Sequence, residues 1–172
     1  VAATRSTDPL SRAYGVLALA ADRDPGVIDI LTPLLGDREE SVVLGTLRTL
    51  GRIADARAVP LALSALASAS PSVKQEALAT LARCPLDRAQ CDLIVPYVGH
   101  ADPAVRAAAL RALARSDPEQ LALVLSGSDT DPAWRVRADL TRALGSVGGD
   151  FALGLVFAAL DDPARRVLPA AL

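Results

Sequence analysis

Apolar residues recur along this chain on a helical beat, and one stretch shows it plainly. From Asp102 the chain reads Asp-Pro and then runs from Ala104 to Arg115, with Val105, Ala109, Ala112 and Leu113 on one stripe and Arg106, Arg111 and Arg115 off it. Residues three and four apart share a helix face, so the spacing predicts an amphipathic helix. Asp ahead of Pro supplies the start. The carboxylate caps the first free amides, and Pro fits the first turn, where its missing N–H costs nothing. No alternating β-branched run bounded by turns occurs, so no strand is predicted.

The same phrase returns through the chain. Aligned on Val105, the equivalent positions are Ser11, Val42, Val73, Val105, Val136 and Val167, separated by 31 or 32 residues. Leu19, Leu50, Leu81, Leu113 and Leu144 each follow eight positions later. Between these helices the pattern predicts more variable ones near 25–36, 56–68, 87–99, 118–126 and 149–160, giving a helix–turn–helix unit with short loops. Asp-Pro at 8–9, 24–25, 102–103, 117–118, 131–132 and 162–163, with Ser70-Pro71, reads as helix-start punctuation. Pro33, Pro60 and Pro96 instead fall inside the first helix of their units, where the ring clashes with the carbonyl four back and bends the helix. Pro169 is interior to a helix of the last unit and predicts distortion there. Such units cannot bury an apolar stripe alone; stacking creates a continuous core.

Composition agrees with stacked thin layers. The chain is 51% hydrophobic but only 3% aromatic and has no Met. Net charge is −2, which excludes a strongly basic nucleic-acid binder. The longest apolar run, residues 151–160, is too short to span a bilayer. No signal peptide is visible, but the chain opens on Val1, so localisation stays open, with the cytoplasm slightly favoured. Cys84 and Cys91, with His100 the sole histidine, read as buried reduced thiols rather than a zinc site. His100 alone makes no catalytic triad, Ser64, Ser68 and Ser70 have no His nearby in sequence, and Gly148-Gly149 is a turn rather than a phosphate loop. No catalytic residue, cofactor or metal is expected, and the chain reads as a non-enzyme.

Paired helices, a proline within the first and Asp followed by Val-Arg at the second resemble HEAT repeats, in the compact form found in bacterial HEAT-like proteins of the phycobilin-lyase type. Asp37, Asp131 and Asp162 stand five before the matching Val, and Lys74, Arg106 and Arg137 just after it. The resemblance implies that these six form an inter-repeat ladder, broken where Ser68 and His100 replace Asp. It implies an all-α, right-handed α–α superhelix, a HEAT-like solenoid of about five and a half two-helix repeats, over residues 1–172 as a single array. The period is shorter than the roughly 40–47 residues usual for HEAT and armadillo units. The chain begins and ends in mid-unit, and Val167 to Leu172 form an apolar stub, so a piece of a longer polypeptide, or end-to-end self-association, is expected.

Charge is unevenly placed. The second-helix windows 11–21, 42–52, 73–83, 105–115 and 136–146 hold ten basic residues and only two acids, Glu76 and Asp139. Arg48, Arg111 and Arg142 share one register, and Arg52, Arg83 and Arg115 another. The resemblance puts these helices on the concave wall, so the six arginines, with Trp134 at a helix start, are the expected contact residues for an acidic protein segment. Packing of the arginine stems over the apolar stripe, and of Trp134 into space beside the short helix 118–126, are the competing structural explanations. Tyr14 and Tyr97 read as packing residues. No aromatics interleave with the arginines, which disfavours single-stranded nucleic acid; Trp134 with Asp139 only faintly echoes HEAT-like DNA glycosylases. An accessory repeat domain of a larger enzyme, either a cyclophilin-type peptidyl-prolyl isomerase or a phycobilin lyase, is the alternative.

Overall fold

The computed structural model describes residues 2–19, 21, 25–145, 147 and 149–171. Asp24, Gly148 and Leu172, assigned above to a helix start, a turn and the apolar stub, lie outside the described residues. Every regular element among the described residues is helical. Contacts divide the chain into two compact units, residues 1–86 and 87–172.

In the first unit the second helices of successive repeats are α1 (Pro9–Leu19), α3 (Glu40–Ile53) and α5 (Pro71–Leu81), and each packs on the next. The outer layer holds α2 (Ile28–Leu31) and α4 (Ala58–Ala65). Val16, Val42, Leu47, Leu50, Leu78 and Leu81 are buried between the layers. After α2 the chain tightens into a 3-10 segment, Thr32–Gly36, that contains Pro33. Pro has no N–H to continue the α-helical ladder, and the Thr32 hydroxyl donates to the Ile28 carbonyl at 2.9 Å. Pro60 falls in the first turn of α4, where it interrupts nothing.

The second unit repeats the arrangement. Its second helices are α7 (Pro103–Ser116), α9 (Trp134–Gly145) and the short α11 (Leu168–Ala171), and its outer helices are α6 (Arg88–Asp92), α8 (Pro118–Ser126) and α10 (Gly149–Ala158). Pro96 sits in a second 3-10 segment, Val95–Gly99, after α6. On α7 the predicted stripe of Val105, Ala109, Ala112 and Leu113 is wholly buried, and Ala107, Ala108, Leu110 and Ala114 are buried with it. Alanines let the neighbouring helices close on more than one side of α7, which is why a chain with few large side chains still has a dry core. The short α8 packs chiefly on α7. A cavity of about 630 Å³ beside it is lined by Leu110, Leu125, Val136, Leu140 and Leu155.

Capping follows the sequence reading at most starts. Asp102 accepts from Ala104 and Val105 amides, Asp117 from Gln120, and Asp87 forms a capping box with Gln90. Asp131-Pro132 and Asp162-Pro163 are the correction. Their helices begin later, at Trp134 and Leu168, and these two aspartates stand in the turn two positions earlier in the repeat than Asp102. Tyr14 is also corrected, being 70% exposed rather than packed.

Candidate functional site

One turn position organises the cross-repeat contacts. Ser6, Asp37, Ser68, His100, Asp131 and Asp162 are spaced by 31 or 32 residues. In each, a side-chain atom accepts from the backbone amide two residues on, at 2.8–3.2 Å. Serine, aspartate and histidine all meet that requirement; only aspartate adds a charge.

Where aspartate is present, an arginine 25 residues earlier reaches it. Arg106 donates through Nε and Nη2 to Asp131 at 2.7 and 2.9 Å, and Arg137 does the same to Asp162. Nη1 of each arginine turns back to its own loop: Arg106 to the carbonyls of His100 and Ala101, Arg137 to those of Asp131 and Pro132. Asp131 therefore links the two arginines, its carboxylate serving one and its carbonyl the other. Arg12, which the charge pattern assigned only to the basic wall, makes the same bonds with Asp37, at 2.6 and 2.8 Å, and with the Ser6 and Thr7 carbonyls. The signal for it was the 25-residue spacing. Such bidentate charge-assisted pairs are the stronger class of hydrogen bond.

Lys74 is the exception among the expected ladder residues. It has no ion pair among the described residues, and in sequence the next acceptor register carries His100 rather than a carboxylate. The His100 Nδ1 accepts the Asp102 amide at 3.0 Å, and its ring stacks near Tyr97.

Electrostatics follow geometry. The Arg12 guanidinium holds the Asp37 carboxyl below its usual value, and Arg137 does so for Asp162. Burial works to raise Asp131, but Arg106 and the Ala133 amide outweigh it, so it too is lowered.

A second set of pairs joins the same helices farther along. Arg48 donates to Glu76 at 2.9 Å and Arg111 to Asp139 at 3.1 Å, each pair 28 residues apart, while Arg142 meets Asp139 at 2.7 Å. The only two acids of the second-helix windows thus neutralise the row Arg48, Arg111 and Arg142. The other row is different. Arg83, in the turn after α5, donates to the Ala79 carbonyl, and none of Arg52, Arg83 and Arg115 has a carboxylate partner among the described residues. Arg52 and Arg115 are exposed. Trp134 is half-buried, and the guanidinium carbons of Arg135 and Arg166 lie 5.4 and 5.3 Å from its ring centroid.

Cys84 and Cys91 are free and buried, and burial pushes both thiols up from their ordinary value. Among the described residues no cluster of three or more His, Cys, Asp or Glu could hold a metal ion. No helix there is long and apolar enough to cross a membrane.

The chain matches the family model for HEAT repeats over residues 1–82 and 59–145. No curated protein sequence matches it. Among solved structures it resembles the complex of CpcE and CpcF of phycocyanin lyase from Nostoc sp. PCC7120, with TM-score 0.77 and 19% identity over 99% of this chain and 72% of that one. A designed armadillo repeat protein aligns with TM-score 0.56 and 14% identity over 99% and 94% of the two chains. Human deoxyhypusine hydroxylase in complex with glycerol aligns with TM-score 0.52 and 19% identity over 99% and 69%. These likenesses show an all-helical, armadillo-like solenoid fold. With the two family matches together covering residues 1–145, the chain belongs to the HEAT repeat family.

Proposed function

We propose that the chain is a non-enzymatic scaffold whose second-helix wall holds an acidic segment of a protein partner. The observation that carries this reading is one repeat position held by arginine in both units, Arg52 and Arg83 in the first and Arg115 in the second, each without a carboxylate partner among the described residues. Unpaired surface cations attract and orient an anionic partner, and arginine offers a carboxylate two parallel hydrogen bonds. Side chains arranged for proton transfer or nucleophilic attack would support an enzyme; Asp37, Asp131 and Asp162 instead cap turns and pair with arginines, and Glu76 and Asp139 pair with arginines.

The test uses a fluorescein-labelled octaglutamate peptide in low salt, followed by anisotropy. The triple variant Arg52→Glu, Arg83→Glu, Arg115→Glu should bind the peptide at least tenfold more weakly while keeping its helical circular dichroism and melting temperature. Wild-type affinity in that variant would refute the reading. Salt should weaken the wild-type complex, since exposed charges are screened.

The likeness to the phycocyanin lyase complex favours a second reading, an accessory repeat subunit of a lyase-type enzyme. Uptake of an added bilin, read as a shift in visible absorbance, would support it. Self-association through the terminal units belongs to the same proposal, and sedimentation velocity tests it.

A further inference from the structure

Arg135 and Arg166 occupy one register in consecutive repeats. Each immediately precedes a buried valine, Val136 and Val167. The corresponding residues elsewhere are Leu10, Ser41, Ser72 and Ala104, so the two arginines are confined to this end of the described chain. Both are exposed, and both guanidiniums rest against one indole, that of Trp134, at 5.4 and 5.3 Å from the ring centroid. This is within the range of a cation–π contact.

That geometry puts two positive charges within about 11 Å of each other beside one aromatic ring, where they repel. Four other arginines of the same unit are neutralised: Arg106, Arg111, Arg137 and Arg142 each meet a carboxylate within 3.1 Å. Arg135 and Arg166 have no such partner among the described residues. An indole that restrains two cations lowers the entropy lost when an anion binds both. With cations on the ring, it is a poor platform for stacking a base. Guanidinium forks pair bidentately with carboxylates.

We infer that Trp134, Arg135 and Arg166 form a two-armed clamp for neighbouring carboxylates of an acidic protein segment. Trp134 is a positioning residue, and the arginines make the contact. The inference rests on the acidic-segment reading and adds a site distinct in register from Arg52, Arg83 and Arg115.

Trp134 is the only tryptophan, so its fluorescence reports this site alone. Octaglutamate should shift the Trp134 emission with the same midpoint as the anisotropy change. Arg135→Gln with Arg166→Gln should abolish the emission shift and weaken binding at least tenfold. Arg135→Lys with Arg166→Lys, which keeps charge but not the fork, should bind between the two. Trp134→Phe should weaken binding several-fold by anisotropy. The Arg52, Arg83, Arg115 variant should keep the emission shift at raised peptide concentration.

Wild-type affinity in the double Gln variant, or an unmoved Trp134 emission at saturating peptide, would overturn the clamp while leaving the acidic-segment reading intact. Absence of octaglutamate binding to the wild type in low salt would overturn both. Tighter binding of a single-stranded oligonucleotide of equal charge would overturn the choice of ligand.

Discussion

Arg48 and Glu76 stand 28 residues apart in sequence and 2.9 Å apart in space, and the pair cancels a positive charge on the second-helix wall. The arginine side chain is 61% exposed and the glutamate 17%, so the bond adds little to stability. Its effect is on the field that a partner meets. Glu76→Gln should change the unfolding free energy by less than about 1 kcal/mol. It should also tighten binding of an acidic peptide about two- to fivefold, because Arg48 is released. Urea melts and peptide titration check the two halves separately.

Asp131 has the opposite character. Its loss strands a largely buried guanidinium. Asp131→Asn keeps an oxygen to accept the Ala133 amide but removes the charge facing Arg106, and should cost about 2–3 kcal/mol. A double-mutant cycle with Arg106→Gln should show strong coupling. Additive costs would mean that the two side chains do not act together.

Acid should expose the same links. Folding lowers the pKa of Asp37, Asp131 and Asp162 below the ordinary value of 3.8. A lowered carboxyl stabilises the fold above its unfolded pKa, and that stabilisation disappears as pH falls through the folded value. The urea midpoint should therefore hold between about pH 7 and 5 as far as these groups are concerned, then drop steeply below about pH 4. In Asp131→Asn the drop should be shallower.

The sequence made the helices legible because one constraint, a buried stripe per 31 residues, acts on every unit. Second-helix positions came out to within a few residues, and Asp131 with Arg106 followed from the family pattern. What did not come out depends on stacking. Glu76 and Asp139 looked like incidental acids until adjacent helices brought them opposite Arg48 and Arg111. Arg12 is not read as a ladder member from the sequence because its unit opens on Ser11 instead of valine, which hides the shared register. The Asp-Pro pairs misled, since identical dipeptides serve two positions: Asp102 caps a helix, whereas Asp131 caps a turn and receives an arginine. Trp134 could be placed at a helix start but not beside two guanidiniums, because Arg166 comes from the next repeat.

Gly15 marks a close approach that no pattern announced. A Cβ there would lie 2.8 Å from the Thr4 amide nitrogen and 3.0 Å from the Ala3 carbonyl carbon, both backbone atoms that cannot swing aside. Gly15→Ala should cost about 1–3 kcal/mol by forcing the N-terminal 3-10 turn off α1. Hydrogen exchange should show residues 3–5 losing protection first.

Ala54 points the other way. It ends α3 in the left-handed region at φ 55°, a conformation that disfavours residues carrying a Cβ. Ala54→Gly should raise stability by about 0.5–1 kcal/mol, visible as a higher melting temperature.

The arginine links also make the chain editable. Each reaches forward by one fixed interval and back only to its own loop, so the bonds carry no memory of which unit comes next. Excising residues 107–137 would leave Arg106 as far ahead of Asp162 as it now is of Asp131, a separation of 25. A shortened splice of this kind should close its new seam with the old chemistry, and lengthening by whole units should work by the same rule.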